Sequence, residues 1–291
     1  MPLELPHGFA SQQEIDESYN PRLRAVDLDA SLQHYAQRSE QARQQLNYRA
    51  RVPYGPTLAE TLDIVPAERP GAPVFFYIHS GYWRSNAARD FTQVAFGAHA
   101  RGFTTVLVDY ALCPQVTLDE IVRQVRSAAA WVIRNIAELG GDPGRIVIGG
   151  HSAGAHLGAM LLCTAWREDY GLPDDPFSGA VLVSGLYDIA PLRFSYLQPS
   201  IQLDEASVLR NSPVRHVRRC RTPVLLSWGS LEQAAFERQS TAMRDAWLGA
   251  GNEGELMVQP NEDHFTAISG FENGDSRLCA ALERMAGSAA R

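Results

Sequence analysis

The sequence has few cysteines, and none of them is arranged as a metal or redox motif. Its 291 residues include four cysteines and no CxxC pair. They are Cys113, Cys163, Cys220 and Cys279. Structural zinc sites and dithiol redox centres use closely spaced pairs of this kind. We therefore expect free thiols in a reducing cytosol, and neither a metal nor another cofactor.

The chain also lacks the segments that mark membrane and nucleic-acid-binding proteins. It has no apolar run near the roughly 18 residues that a membrane helix needs. Its first residues, MPLELPHGFASQQEIDE, show no basic segment followed by an apolar one, so no signal peptide is expected. The net charge is −7, whereas nucleic acids and anionic membranes attract basic faces. We expect a cytoplasmic protein without either partner, and we assign Arg215, Arg218, Arg219 and Arg221 to a solvated loop.

The pattern that is present is typical of an α/β protein. Hydrophobic residues make up 45% of the chain and charged residues 20%, as in ordinary soluble proteins. Apolar runs such as VFFYI, TVLV, IVIG and VLLSW are typical of strands buried on both faces of a parallel sheet. Strands are predicted at 62–65, 74–79, 104–109, 145–149, 180–184, 223–228 and 256–259. Helices are predicted at 91–101, 118–139, 153–166, 234–248 and 276–286. This alternation predicts a mostly parallel central sheet flanked by helices.

The N-terminal part has a different composition. Residues 30–49 are rich in Gln, Arg, Ala and Glu, which favour helix, and two prolines and a glycine at 51–56 end that segment. We predict an N-terminal helical segment that packs on the main domain near its active site. The chain is interpreted as a single domain of residues 1–291, with a helical extension at 1–55 and a catalytic core at 56–291. Residues 187–213 lack periodicity and are interpreted as a lid-like excursion.

A candidate nucleophile lies between a predicted strand and a predicted helix. Residues 150–154, Gly-His-Ser-Ala-Gly, match the pattern G-x-S-x-G. In this pattern the serine occupies a strained turn that pushes its oxygen beyond the C-terminal edge of the sheet. The flanking glycines let strand and helix approach closely. The N-terminus of the helix adds positive potential where negative charge develops. The sequence therefore predicts that Ser152 is a nucleophile.

The loop after the strand at 74–79 is the candidate oxyanion-binding loop. Residues 79–83 read His-Ser-Gly-Tyr-Trp. Backbone N–H groups in such a loop stabilise the oxyanion of a tetrahedral intermediate. We expect these donors to come from Gly81 and Tyr82, together with Ala153. The rings of Tyr82 and Trp83 are candidates for stacking on an aryl group in the substrate pocket, with plain packing as the alternative.

A general base is expected late in the chain. Of eight histidines, only His264 follows the last predicted strand, in the polar loop NEDHF. A polar loop that holds one histidine beside apolar residues suits a base that serves both nucleophile and leaving group. The remaining histidines near the same sheet edge, His79, His151 and His156, are assigned structural or supporting roles.

The acid that orients this base is expected after the strand at 223–228. Glu232 lies three residues beyond Gly229 and is the only carboxylate in that turn. It would hold the imidazole in one tautomer and stabilise the imidazolium. Asp188, which follows the preceding strand, is the alternative. Asp263 is expected to orient the loop of the histidine beside it.

Together these segments resemble the kynurenine formamidase (arylformamidase) and related esterase group of α/β-hydrolases, over most of the chain. HSGYW at 79–83 is similar to that group's HGGxW, and GHSAGAHL at 150–157 is similar to its GHSAGxHL. Further similar segments are SGLYD at 184–188, FERQS at 236–240 and DHF at 263–265. The resemblance implies the α/β-hydrolase fold, with Ser152 as nucleophile, His264 as base and a carboxylate at the Glu232 position.

Two positions depart from that group's pattern and leave the substrate open. Ser80 replaces a glycine, which strains the loop if the position needs a positive φ. Glu232 stands where better-known members have Asp. The resemblance implies hydrolysis of a small-acyl ester or an N-formyl aryl amide through an acyl-enzyme, without a metal. A short-chain carboxylesterase or thioesterase without formamidase activity, and a non-catalytic ligand-binding protein, stay open as alternatives. The expected partner is a small-molecule ester or amide, and a homodimer is left open.

Overall fold

The computed structural model describes residues 5–287, which contain an eight-stranded sheet. The strands are β1 (Arg49–Pro53), β2 (Thr61–Val65), β3 (Ala72–Ile78), β4 (Thr104–Val108), β5 (Gly141–His151), β6 (Gly179–Val183), β7 (Val224–Gly229) and β8 (Gly254–Gln259). They lie in the order β1-β2-β4-β3-β5-β6-β7-β8. β2 runs antiparallel to both of its neighbours, and β3 to β8 run parallel. The predicted mostly parallel sheet is confirmed.

The continuous apolar runs arise because both faces of the sheet are covered. Along β3, Val74, Phe76 and Ile78 point into one hydrophobic core, and Phe75 and Tyr77 point into the other. Successive side chains of a strand alternate between faces, so a strand in the middle layer is apolar at every position. All of these residues are fully buried.

The helices form the two outer layers. They are α1 (Gln12–Tyr19), α2 (Leu28–Gln45), α3 (Ala95–Ala100), α4 (Leu118–Asn135), α5 (Ala153–Leu162), α6 (Trp166–Tyr170), α7 (Gln198–Ile201), α8 (Glu205–Arg210), α9 (Ala234–Gly249) and α10 (Arg277–Gly287). α4, α5 and α9 share one hydrophobic core, and α10 belongs to the opposite one. α4 begins where the Thr117 side chain accepts a hydrogen bond from the Glu120 amide. Its buried Leu118, Ile121, Val122 and Val125 then follow at helical spacing.

Two regions differ from the sequence-based prediction. β1 lies where no strand is predicted, because its residues RARVP are mostly exposed and carry no apolar pattern. It pairs with β2 and so belongs to the sheet, although it lies within residues 1–55. The segment at 187–213 contains α7, α8 and short 3₁₀ turns instead of irregular loop. The division of the chain at residue 55 stays a prediction.

The N-terminal helix α2 forms polar contacts with residues of the α/β core. The Ser39 hydroxyl donates a hydrogen bond to the Asp90 carbonyl oxygen at 2.9 Å. Arg38 pairs with Glu272 at 3.0 Å. Among residues 5–287, no helix combines the length and the apolar character that a bilayer-spanning segment requires.

Candidate active site

Ser152 occupies a sharp turn between β5 and α5. Its backbone has φ +55° and ψ −118°, a conformation that non-glycine residues rarely adopt. The Ser152 amide donates to the Val183 carbonyl oxygen at 2.8 Å, which ties the turn to the end of β6. The residue is 2% exposed. The turn therefore holds the hydroxyl at the carboxyl edge of the parallel strands, as the sequence predicts.

The glycines on either side of Ser152 are required by close packing. A Cβ atom on Gly154 would lie 2.0 Å from the Ile78 carbonyl oxygen. A Cβ atom on Gly150 would lie 2.4 Å from the Gly154 carbonyl oxygen. Both obstacles are backbone atoms, which cannot move aside as a flexible side chain does. The G-x-S-x-G pattern thus reflects the approach of α5 to β3 and β5.

His264 and Glu232 form a buried pair. Glu232 Oε2 lies 2.6 Å from His264 Nδ1, and the Glu232 side chain is 0% exposed. The other oxygen, Oε1, accepts hydrogen bonds from the Gly229 amide at 2.7 Å and from the Ser184 hydroxyl at 2.6 Å. An ionised carboxylate only accepts hydrogen bonds, so Nδ1 of His264 is the donor in this contact, and the neutral tautomer with that N–H has its lone pair on Nε2. The sequence predicts the pairing of His264 with Glu232, and the structure brings these two residues together.

The two other candidate carboxylates contact different groups. Asp188 Oδ2 lies 3.2 Å from an Arg215 guanidinium nitrogen, and Asp188 Oδ1 accepts from the Ala190 amide at 3.1 Å. Asp263 is fully buried and accepts hydrogen bonds from three backbone amides. These are the amides of Val26 at 2.7 Å, Phe265 at 2.8 Å and Thr266 at 2.9 Å. Asp263 thus fixes the loop that carries His264, as the sequence predicts, and joins it to the N-terminal segment.

The candidate oxyanion-binding loop has an unusual backbone. Gly81, Tyr82 and Trp83 have φ values of +126°, +48° and +58°. Ser80 does not share this conformation, so its replacement of a glycine causes no strain of that kind. Among the hydrogen bonds of residues 5–287, none uses the amide of Gly81, Tyr82 or Ala153 as donor. Gly81 and Tyr82 line the cavity, whereas Ala153 is buried behind Ser152 at the start of α5.

The structure corrects the prediction that Trp83 lines the substrate pocket. The Trp83 side chain is 0% exposed and is absent from the cavity wall. Its Nε1–H donates to His156 Nδ1 at 3.2 Å, and His156 Nε2 donates to the Asn211 carbonyl oxygen at 2.7 Å. Burial lowers the pKa of His156 to about 4, so the ring is neutral at this position. Trp83 and His156 are thus packing partners beneath the loop.

His79 supports the same loop from below. Its Nδ1 donates to the Ser80 carbonyl oxygen at 2.8 Å, and its ring stacks on Tyr110 at 4.2 Å between centroids. Burial lowers the pKa of His79 to about 4. Burial also raises the pKa of the neighbouring Asp109 to about 6. A neutral His79 ring thus fixes the loop backbone, in keeping with the structural role predicted for it.

Ser152 and His264 open into one cavity of about 300 Å³. Aromatic side chains form much of its wall, namely Tyr35, Tyr82, Phe91, Tyr196 and Phe265. The N-terminal segment contributes several of the lining residues, namely Asn20, Pro21, Arg22, Leu32, Tyr35 and Ala36. No motif in the sequence marks these N-terminal residues, because they meet the site only through tertiary packing. The predicted location of the helical segment near the active site is confirmed.

His151 stands at the cavity wall beside the base. Its ring centroid lies 4.5 Å from that of His264, and neither of its ring nitrogens has a hydrogen-bond partner at good geometry within residues 5–287. Burial first, and the nearby His264 second, lower the pKa of His151 well below its ordinary value. A neutral imidazole therefore lies beside His264 and adds no competing positive charge.

Two guanidinium groups also line the cavity. Arg22 comes from the N-terminal segment and Arg84 from the turn after the oxyanion-binding loop. Arg84 donates to the Ser200 hydroxyl at 3.2 Å, and its guanidinium carbon lies 5.9 Å from the centre of the Tyr196 ring. Neither arginine forms an ion pair with another residue of the described range. Asp90 also lines the cavity, so its charged lining residues are two arginines and one aspartate.

Comparisons with known proteins agree with this geometry. The BD-FAE family model matches residues 62–173. A kynurenine formamidase from Salmo salar is 30% identical, covering 95% of this chain and 97% of that protein. The esterase LipQ of Mycobacterium tuberculosis is 28% identical, covering 73% of this chain and 56% of that protein. A crystal structure from Silicibacter sp. tm1040, provisionally described as a thioesterase, has a TM-score of 0.81 at 26% identity, covering 92% of this chain and 98% of that one.

The likeness to the Salmo salar enzyme runs through nearly the whole of both chains. The fold, a mostly parallel sheet flanked by helices, is the one that esterases of the α/β-hydrolase fold share. The protein belongs to the kynurenine formamidase family of α/β-hydrolases.

Proposed function

We propose that this protein is a serine hydrolase that cleaves a small-acyl ester or an N-formyl aryl amide through an acyl-enzyme on Ser152. The observation that supports it most is the buried pairing of Glu232 with His264 at 2.6 Å, on the same cavity as a strained serine turn. A carboxylate that holds an imidazole in one tautomer beside a serine is the arrangement that activates a hydroxyl nucleophile.

In the proposed reaction, His264 Nε2 takes the proton of the Ser152 hydroxyl while the oxygen attacks the carbonyl carbon of the substrate. The amides of Gly81, Tyr82 and Ala153 stabilise the resulting oxyanion. His264 then gives the proton to the leaving alcohol or amine, and the bond to that group breaks. Water, activated in turn by His264, attacks the acyl-enzyme, and the carboxylic acid departs as Ser152 regains its proton.

The cavity wall supports an aromatic substrate that carries a carboxylate. Aromatic side chains surround a space of about 300 Å³, which is at the small end of ligand pockets in proteins. Arg22 and Arg84 add positive charge at the wall. Relatives carry the name kynurenine formamidase, and N-formylkynurenine combines an aryl formamide with an amino-acid side arm that bears a carboxylate and an ammonium group. We propose this chemical class, an N-formyl aryl amide with a side arm that bears a carboxylate, as the preferred substrate.

An ester substrate without formamidase activity is the second candidate. It is favoured by the mycobacterial relatives, which carry the names esterase LipQ and esterase LipC. The same three catalytic groups would serve both reactions, because only the leaving group differs. The cytoplasmic location, the absence of nucleic-acid or membrane partners and a homodimeric assembly are also proposals.

The test compares three proteins on three substrates. Wild type, Ser152→Ala and the control Ser127→Ala are assayed with p-nitrophenyl acetate, p-nitrophenyl butyrate and N-formylkynurenine. Ser127 lies on α4, outside the cavity, and contacts Arg123. We expect wild type and control to cleave N-formylkynurenine and Ser152→Ala to lose activity by several orders of magnitude. Cleavage of esters alone would favour the second candidate, and full activity of Ser152→Ala would refute the mechanism.

A further inference from the structure

Ser184 lies at the carboxyl end of β6 and contacts the proposed acid. It is 0% exposed, and its hydroxyl donates to Glu232 Oε1 at 2.6 Å. Its φ is +53°, in the left-handed region that costs a non-glycine residue conformational energy. The strand is thus bent at this residue in a way that turns the hydroxyl toward β7 and Glu232.

The backbone around Ser184 connects the nucleophile to the acid. The carbonyl oxygen of the preceding residue, Val183, accepts from the Ser152 amide at 2.8 Å. The Ser184 amide itself donates to the Ser227 carbonyl oxygen on β7 at 2.7 Å. Two consecutive residues therefore hold the serine turn on one side and the strand that precedes Glu232 on the other. The Ser184 hydroxyl is the third connection, and it is the one that reaches the carboxylate.

The length of Glu232 explains why such a contact is needed. A glutamate has one more methylene than an aspartate and one more rotatable bond, so its carboxylate needs more restraint to face the imidazole. Oε1 is held by two donors, the Gly229 amide and the Ser184 hydroxyl. This leaves Oε2 directed at His264 Nδ1. Hydrogen bonds to an ionised group are among the stronger ones in proteins.

We propose that Ser184 is a positioning residue for catalysis, which acts by fixing the carboxylate of Glu232 against His264. This inference rests on the proposed function, because it needs Glu232 to be the acid. Ser184 does not line the cavity, so it influences the rate of the chemical step and leaves substrate binding unchanged.

Two substitutions distinguish the effect of the Ser184 hydroxyl from the effect of its backbone conformation. Ser184→Ala and Ser184→Gly both remove the hydroxyl, but only glycine adopts a positive φ without strain. We expect both variants to lower kcat for p-nitrophenyl acetate by about ten- to a hundredfold, with KM unchanged. If Ser184→Gly retained the wild-type kcat while Ser184→Ala lost activity, only backbone conformation would matter and the inference would be wrong. Ser184→Gly is also expected to fold, since glycine relieves the backbone strain at this position.

A third variant tests whether the effect passes through Glu232. In Glu232→Ala there is no carboxylate to position, so adding Ser184→Gly is expected to change kcat by less than about twofold. A further tenfold loss in the double variant would show that Ser184 acts elsewhere and would overturn the inference. If Glu232→Ala alone kept full activity, the proposed function would fail at its acid. If Glu232→Ala were impaired while Ser184→Gly was not, only the role of Ser184 would fail.

Discussion

The carboxylate of Glu232 lies 2.6 Å from Nδ1 of His264, and both side chains are almost completely inaccessible to solvent. This contact joins the turn after β7 to the loop after β8. Because water is excluded, the attraction between the carboxylate and a protonated imidazole is stronger than it is at a surface. The pair is therefore suited to stabilise the imidazolium that forms when Ser152 gives up its proton.

The first prediction concerns the choice between two carboxylates. Glu232→Gln removes the charge that stabilises the imidazolium, so we expect kcat to fall by roughly 10⁴, as in the corresponding change of a serine protease. Asp188→Asn, at the alternative position, should leave kcat within a few fold of wild type because Asp188 pairs with Arg215, whereas Nδ1 of His264 contacts Glu232. Steady-state hydrolysis of p-nitrophenyl acetate measures both. If Asp188→Asn lost activity and Glu232→Gln did not, Asp188 would be the acid.

The second prediction concerns the glycines of the serine turn. Gly154→Ala places a Cβ atom 2.0 Å from the Ile78 carbonyl oxygen, so we expect the free energy of unfolding to fall by about 3 kcal/mol or more. Gly249→Ala is the matched control, because no atom lies within 4 Å of its added Cβ and it ends the helix α9. That variant should be unchanged or more stable by up to about 1 kcal/mol. Urea denaturation measures both, and equal effects would contradict the packing of α5 on β3.

The third prediction concerns the charge of the substrate. Replacing Arg22 and Arg84 together by Gln should raise KM for N-formylkynurenine by about five- to tenfold and leave KM for the neutral p-nitrophenyl acetate unchanged. The effect is modest because both arginines are exposed to solvent and salt screens them. For the same reason, the selectivity of the wild type should decline at high ionic strength. An equal rise in KM for both substrates would mean that the arginines shape the cavity and do not recognise charge.

The fourth prediction concerns stability below neutral pH. Burial lowers the pKa of His156 in the folded protein to about 4, against about 6.5 in an unfolded chain. Between these values only the unfolded chain binds the proton, so this residue makes the wild type less stable as the pH falls. His156→Gln lacks that contribution. The stability difference between wild type and variant should therefore shift by on the order of 1–2 kcal/mol in favour of the variant from pH 7.5 to pH 5. Urea unfolding at both pH values measures it, and a difference independent of pH would contradict a buried neutral His156.

Much of the fold follows from the sequence because strands buried on both faces are apolar at every position. The runs around Phe76, Val106, Ile148 and Leu226 predict β3, β4, β5 and β7 within two residues at most of their ends, apart from the first residues of β5. β1 is not predicted because an edge strand with exposed side chains carries no such run. The short helices α7 and α8 are not predicted because each spans fewer than two turns and shows no hydrophobic period.

Part of the candidate site can likewise be predicted from the sequence, and part of it depends on the folded chain. Ser152, Glu232 and His264 are marked by their positions after particular strands, and local sequence is enough to select them. Trp83 shows where this reasoning fails, since a residue beside the oxyanion-binding loop can point into the core as easily as into the cavity. The cavity wall from α2 and from the turn after α1 depends on long-range contacts, such as the hydrogen bond between Val26 and Asp263, and cannot be predicted from either segment alone. The role proposed for Ser184 depends on its φ and on its distance from Glu232, which are properties of the folded chain.

The most direct test of the proposed nucleophile is covalent trapping. Diethyl p-nitrophenyl phosphate transfers its phosphoryl group to an activated serine and releases p-nitrophenolate. Cleavage by trypsin after Arg145 and Arg167 then releases a peptide in which Ser152 is the only serine. We predict that mass spectrometry finds one phosphoryl group per chain on Ser152 of the wild type, in step with loss of activity, and none on Ser152→Ala. Modification of a different residue, or equal modification of Ser152→Ala, would contradict the proposal that Ser152 is the nucleophile.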